Sequence, residues 1–235
     1  MVWATAEAII LVDNHATLPG LRRAWGFSAY VIVGEKRLLF DTGPDPSVLE
    51  HNAATLGADL GSVSAIVISH LHGDHTGGLP AVARKAPRTR TYLPEPYGAG
   101  WVAGLGLRPV ITESTAEVLS GAWVIGPLNG ALPEQALAVG EPGELLLLVG
   151  CSHPGTDRLV ERAVADVGGV RVVAGGMHLV GAPEWRIREV VDRLVELGVR
   201  KIYPMHCSGE AVAEYISSEY PWLLGRGGAG ARISA

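Results

Sequence analysis

Four side chains that ligate transition metals fall within six positions at His70-Leu71-His72-Gly73-Asp74-His75, directly after the apolar run Ala65-Ile66-Val67-Ile68-Ser69. A continuous apolar run of this length reads as a buried strand, so the cluster lies where a strand leaves the core for a loop. Side chains alternate along extended backbone, which places the imidazoles of His70 and His72 on one side, able to share one metal. Gly73 then lets the backbone turn, and Asp74 and His75 point toward a second, neighbouring position. A catalytic zinc takes three protein ligands and leaves one position open. The cluster therefore offers two ligands to each of two metals, and each metal needs one more from elsewhere. Two cations this close lower the pKa of a shared water so that hydroxide exists near neutral pH, and they polarise the bond under attack. Hydrolysis is the natural use. No Gly-x-Ser-x-Gly elbow and no phosphate-binding Gly-Lys-Ser/Thr loop competes with it.

The remaining ligands must be delivered by other elements. Residues Ala6 to Val12, Ser28 to Val33 and Lys36 to Phe40 read as strands, the last two joined by a tight turn at Gly34-Glu35. The loop from Asp13 to Gly26 holds Asn14, Arg22, Arg23 and Trp25 and is long enough to border a site. After Asp41-Thr42-Gly43, the pair Asp45 and Pro46 predicts a helix start, with Gly57 closing that helix after Leu56. A short helix follows Gly77-Gly78. From Arg90 to Gly140 the pattern weakens, with strands expected at residues 90–93, 110–112 and 122–125. The Gly- and Pro-rich segment 94–109 carries Tyr97 and Trp101 and reads either as a lid over the cluster or as an irregular surface connection.

Three further strands follow, at residues 144–149, 170–174 and 201–204, leading into Cys151-Ser152-His153, Met177-His178 and His206-Cys207. Helices are expected at 157–167, from Pro183 to a stop at Gly198, and from about Gly209, with a weak strand near 231–234. Five apolar strands, ending near Phe40, Ser69, Val149, Ala174 and Pro204, thus each deliver a metal-capable side chain just past their last apolar residue. In layered α/β folds a site forms where strand ends converge at one sheet edge. Asp41 then reads as a carboxylate that fixes the tautomer of a ligand histidine, or else as a cap for the following helix.

The chain of 235 residues, 48% hydrophobic and 18% charged, is long enough for a sizeable core, and its composition excludes a disordered chain. No break in composition marks a boundary, so a single domain over 1–235 is expected. A net charge of −5 without a Lys/Arg block argues against nucleic acid as the main partner. No apolar stretch is long enough to span a bilayer, so no membrane is expected. The two cysteines, Cys151 and Cys207, each lie within two residues of a candidate histidine, which argues against a stabilising disulfide and favours the cytoplasm. One Gln, three Asn and an excess of Arg over Lys fit a heat-adapted source or a GC-rich genome.

Asp41-Thr42-Gly43, the His-x-His-x-Asp-His cluster and the later histidines resemble the metallo-β-lactamase superfamily. That resemblance implies an α/β, four-layer αββα sandwich of two mixed β-sheets flanked by helices, with one or two metals between the sheets. Asp13-Asn14, Ser69-His70, Thr76-Gly77-Gly78-Leu79, Glu134-Gln135-Ala136-Leu137, the segments 150–155 and 175–179, and His206-Cys207-Ser208-Gly209 are similar to one subgroup, typified by an archaeal dihydropteroate-synthase-like, pterin-condensing synthase. Hydrolases of the superfamily place a bridging Asp at a strand end before the final histidine, and here no Asp ends a strand between His75 and His206. One mapping makes His153 the third ligand of the first metal and puts His178 at the bridging position. The other leaves that role to Cys151 or His153. The first is preferred because it completes a three-histidine site; His178 is then a proton donor or substrate contact, and the second metal binds more weakly.

The expected ligands are therefore His70, His72, Asp74, His75, His153 and His206, with Asp74 and His178 as catalytic candidates and Asp41 and Cys151 behind them. Asn14, Arg22, Arg23, Trp25, Tyr97 and Trp101 are candidates for substrate contact. Zinc, as one or two ions, is the expected cofactor, with manganese or iron as alternatives; the superfamily's di-iron members look for Glu where His72 stands, which favours zinc. The expected activity is hydrolysis of a small polar substrate, such as a phosphoester, by metal-activated water. The subgroup implies instead a synthase joining a dihydropterin pyrophosphate to an aminobenzene ribofuranosyl phosphate. A non-catalytic metal-binding protein is the third reading.

Overall fold

The computed structural model describes residues 6–235. In chain order the strands are β1 (Ala6–Val12), β2 (Ser28–Val33), β3 (Lys36–Phe40), β4 (Ala65–Val67), β5 (Arg90–Leu93), β6 (Arg108–Ile111) and β7 (Ala116–Leu119). They continue with β8 (Ala122–Leu128), β9 (Glu134–Val139), β10 (Leu145–Val149), β11 (Val170–Gly176), β12 (Lys201–Met205) and β13 (Arg232–Ser234). The helices are α1 (Pro46–Leu56), α2 (Gly73–Thr76), α3 (Leu79–Lys85), α4 (Ala99–Gly104), α5 (Thr156–Asp166), α6 (Glu184–Glu196) and α7 (Glu210–Glu219).

The strands form two mixed sheets, ordered β13-β1-β2-β3-β4-β5-β6 and β12-β11-β10-β9-β8-β7. Inward-facing residues of both, such as Ile10, Val31, Phe40, Val124, Leu137, Leu148 and Met205, form one buried cluster between them. A second cluster joins the outer face of the six-stranded sheet to α5, α6 and α7, and a third joins the outer face of the seven-stranded sheet to α1, α3 and α4. The layers are therefore helix, sheet, sheet, helix, as the alternation of buried faces requires.

Strand direction explains where the chemistry collects. β3 and β4 run parallel, as do β10, β11 and β12, so each group places its C-terminal ends at one edge. β1 runs antiparallel to β2, which is antiparallel to β3, so Asp13 and Asn14 leave β1 at that same edge. β9 is antiparallel to β10, so the edge is also where β9 begins, at Glu134.

Most expected elements appear with boundaries within one or two residues, and α1 has the expected Asp45 cap and the left-handed Gly57. β4 stops at Val67 rather than Ser69, because the Ser69 amide leaves the ladder to donate to Asp41 Oδ1 at 2.7 Å. Gly73 makes no glycine-specific turn; it opens the one-turn helix α2, which carries Asp74 and His75 round to their side of the cluster. The segment after β5 is not an irregular connection but a 3₁₀ turn followed by α4, with Val102 buried and Gly98 packed against Leu71 of the ligand cluster. No described helix is long and apolar enough to cross a membrane.

Gly175 shows how tightly the β10–β11 edge is built. Its φ is +135°, and an added Cβ would lie 1.9 Å from Val149 O. Replacing Gly175 with Ala is expected to cost roughly 2–4 kcal/mol in stability, the sum of backbone strain and overpacking, measured by denaturant titration.

Candidate metal centre

At the shared edge the sequence-predicted ligands form two groups of three. His70, His72 and His153 bring one donor atom each within 4.8 Å of one another, and so do Asp74, His75 and His206. In the first group His70 Nε2 and His72 Nδ1 are 3.1 Å apart. In the second, Asp74 Oδ2 lies 3.3 Å from His206 Nε2 and 3.7 Å from His75 Nε2. Two donors held at ~2.0–2.1 Å by a tetrahedral zinc stand about 3.3 Å apart, so these spacings fit a divalent cation. His206 Nε2 is buried and has no aligned hydrogen-bond partner, although acidic and imidazole donors surround it. An orphaned nitrogen aimed into such a group is what a missing cation would satisfy. The first group opens to solvent through His72, while His70, His75 and His206 are buried.

A layer of acceptors behind the histidines decides which nitrogen faces inward. Asp41 Oδ2 receives His75 Nδ1–H at 2.7 Å and the Ser69 hydroxyl at 2.7 Å. Having donated to Asp41, Ser69 Oγ accepts from His70 Nδ1 at 2.9 Å. One carboxylate thus presents Nε2 of a histidine in each group. Glu134 does the same for His153, whose Nδ1 lies 2.8 Å from Oε2, and it also receives the amides of Cys151, Ser152 and His153. Asn14 Oδ1 is 3.4 Å from His206 Nδ1, its Nδ2 donates to His206 O, and Asp13 Oδ1 receives the His206 amide at 2.8 Å. The Gln135 side chain ties the two sheets together by donating to Ile68 O.

Burial pushes Asp41 above the usual carboxylate range, against its bonds to His75 and Ser69, while Asp41 raises His75 despite that ring's burial. The short contact between Nδ1 and Asp41 Oδ2 turns His75 Nε2 toward the second group. Burial and the neighbouring imidazoles push His70 down to about 2, so it stays neutral and able to ligate. Against burial, His206 and His75 hold Asp74 below the carboxylate range. Four non-glycine residues at this edge, Asp41, Ser152, His178 and His206, have left-handed backbone, with φ of +54°, +63°, +52° and +51°. Such conformations cost energy and persist where the surroundings fix them.

Glu134 carried no role in the sequence because a buried carboxylate opening a strand resembles a loop residue; its placement in the Glu134-Gln135-Ala136-Leu137 resemblance was the available signal. Burial opposes its charge, yet the bond from His153 and the amides of Ser152 and His153 lower it from 4.5 to about 2. Its contribution to stability is therefore present above its ordinary pKa and lost as pH falls from 4.5 toward 2. Replacing Glu134 with Gln is expected to lower the stability of the metal-free protein by about 3 kcal/mol at neutral pH and to flatten that acid-side dependence. Denaturant titrations at stepped pH measure both.

The other candidates separate. A cleft of ≈ 480 Å³ opens beside His206, lined by Asn14, His15, Trp25, Val180 and Glu210 among others. Trp25 is 56% exposed, with its ring 4.9 Å from that of His206. A smaller cleft of ≈ 190 Å³ lies between His153, His178 and Arg186. His178 is exposed and its ring is 4.5 Å from His153; it groups with Cys151 and His153 and does not stand between the two triads. Arg22 turns to Ser47 O at the start of α1, and Arg23 is exposed. Tyr97 and Trp101 are exposed and line neither cleft. Asn14 both lines the larger cleft and holds His206. Asp41 does not cap α1, since Asp45 does.

Comparison with known proteins agrees with this architecture. The family model described as the Metallo-beta-lactamase superfamily matches residues 23–167. The 7,8-dihydropterin-6-methyl-4-(beta-D-ribofuranosyl)-aminobenzene-5'-phosphate synthase of Methanocaldococcus jannaschii is 26% identical over 235 residues, covering 79% of this chain and 80% of that protein. The anti-Pycsar protein Apyc1 of Paenibacillus sp. is 28% identical over 123 residues, 50% of this chain and 45% of that protein. Among solved structures, Tm1679, a metal-dependent hydrolase of the beta-lactamase superfamily, superposes with a TM-score of 0.82 at 24% identity, covering 98% of this chain and 99% of that one. The family match spans more than half of the chain and the two-sheet fold agrees with it: this chain belongs to the metallo-beta-lactamase superfamily.

Proposed function

We propose that the protein is a metal-dependent hydrolase of a small polar substrate, with His70, His72 and His153 holding one zinc and Asp74, His75 and His206 a second. The observation that carries this reading is the pair of triads whose inward nitrogens are selected by Asp41, Ser69, Glu134 and Asn14. When bound, the cations supply charge for an ester or anionic oxygen and acidify water, which makes attack near neutral pH feasible. The chain's own residues orient and exclude. Trp25 and Val180 offer an apolar wall beside His206 for the body of a substrate. His178, exposed at the smaller cleft, is placed to give a proton to a leaving group. Arg186 is the cation lining that cleft, and it is already bonded to Glu189 at 2.7 Å, so phosphate on a substrate would face the metals rather than a free guanidinium. Both sheets contribute to this one centre, which supports a single domain; residues 1–5 of the expected span lie outside those described.

Zinc-loaded protein assayed on phosphodiester, lactone and thioester substrates is expected to turn over at least one class, and chelation should abolish that turnover. No turnover with zinc, manganese or iron would sink the reading. Replacing Trp25 with Ala should raise KM roughly fivefold to tenfold with kcat little changed, the loss of one aromatic contact. A second reading, condensation of a pterin pyrophosphate with an aminobenzoyl phosphate, is favoured by the 26% identity to the archaeal synthase over most of both chains. It predicts binding of both compounds in calorimetry; binding of neither removes it.

A further inference from the structure

We propose that Cys151 is a metal ligand shared by the two triads, its thiolate standing between them where no carboxylate is available. The inference rests on the two-metal reading above and deepens it. Cys151 Sγ lies 3.3 Å from His75 Nε2, the nitrogen on the far side of the ring from Asp41. The same sulfur comes within 4.8 Å of donor atoms of His70, His153 and His206, so it reaches two members of each triad. His178, by contrast, groups with His153 and Cys151 and bonds to Cys207, on one side of the first triad.

The neighbouring strand cannot supply this ligand. β11 ends at Gly176, where an added Cβ would lie 2.4 Å from Gly150 O and 2.7 Å from Cys207 Sγ. A side chain there has no room, and the space between the triads is left to Cys151, two residues past the end of β10. The buried, unpartnered His206 Nε2 is a second sign that this space is built for a cation. Cys207 Sγ also groups with Cys151 and His206, but on the side of the second triad, and it donates to Cys151 O at 3.7 Å. In the metal-free protein the Cys151 thiol faces Nε2 of His75. Metal binding replaces that S–H with an S–metal bond and releases one proton to solvent.

Cobalt(II) loaded into metal-free protein tests this without reliance on activity, because a cysteine thiolate on cobalt gives a sulfur-to-metal charge-transfer band in the near ultraviolet. The wild type should bind cobalt and show that band. Cys151→Ser should lose the band and bind the second cobalt more weakly by well over about 100-fold, beyond the effect of a residue that only supports a ligand. Cys151→Asp should restore the second cobalt without the band, and Cys207→Ser should keep it. Bound cobalt with no charge-transfer band in the wild type, or a band that survives Cys151→Ser and vanishes with Cys207→Ser, overturns the assignment while leaving the metal centre intact. Failure to bind cobalt at all overturns both.

Discussion

Replacing His70 with Ala is expected to remove one metal from the protein and to lower kcat/KM by well over a hundredfold. His70 is fully buried, its Nε2 faces His72 Nδ1, and it also approaches His75 and Cys151. A residue that merely supports a ligand changes metal affinity or activity about 10–100-fold, and the ligand itself must exceed that. The cost in folding should be smaller, because the void is bordered by Ser69 and imidazoles that water can solvate. Metal content and kinetics measured on the same preparation separate the two effects. A variant that keeps both metals and most activity would show that His70 is a core histidine.

Asp41→Asn should be nearly as damaging, although it preserves shape. An amide can still accept from the Ser69 amide, but its NH₂ end meets His75 Nδ1 and Ser69 Oγ as a donor. Both imidazoles that depend on Asp41 must then accept at Nδ1, which moves their protons to Nε2. Those are the nitrogens that face the triads. Affinity for both metals is expected to fall about 10–100-fold, with stability reduced by roughly 1–3 kcal/mol for the mismatched buried groups. Zinc titration against a competing chelator reads the first and denaturant unfolding the second. An Asp41→Asn protein with unchanged zinc affinity would show that the tautomers are set elsewhere.

Much of this centre was legible in the sequence because parallel strands leave one another little freedom. Once His70, His153, His178 and His206 were seen to follow apolar runs, a common edge followed, and β3, β4, β10, β11 and β12 provide it. What stayed hidden depends on antiparallel partners and on backbone turns. β9 was missed since its buried Glu134 and Gln135 break the apolar pattern that marks a core strand. Their burial is tolerated because each carries bonds across the site, Glu134 to the 151–153 amides and Gln135 to the opposite sheet. β7 is short and half exposed, with no alternation to mark it. Aromatic residues were the least readable candidates: Trp25 and Trp101 look alike in a loop, and only the chain path places the first beside His206 and the second on the outer face of α4.

The absence of an Asp at a strand end after His75 implies a weaker second metal, while Asp74, His75 and His206 bring their donor atoms as close together as His70, His72 and His153 do. Equilibrium dialysis of metal-free protein against zinc, followed by elemental analysis, tests this most directly. Two zinc ions per chain are predicted, falling to one in Asp74→Ala and to one in His72→Ala. A wild type that saturates at one zinc per chain or fewer, or two zincs retained by both variants, would contradict it.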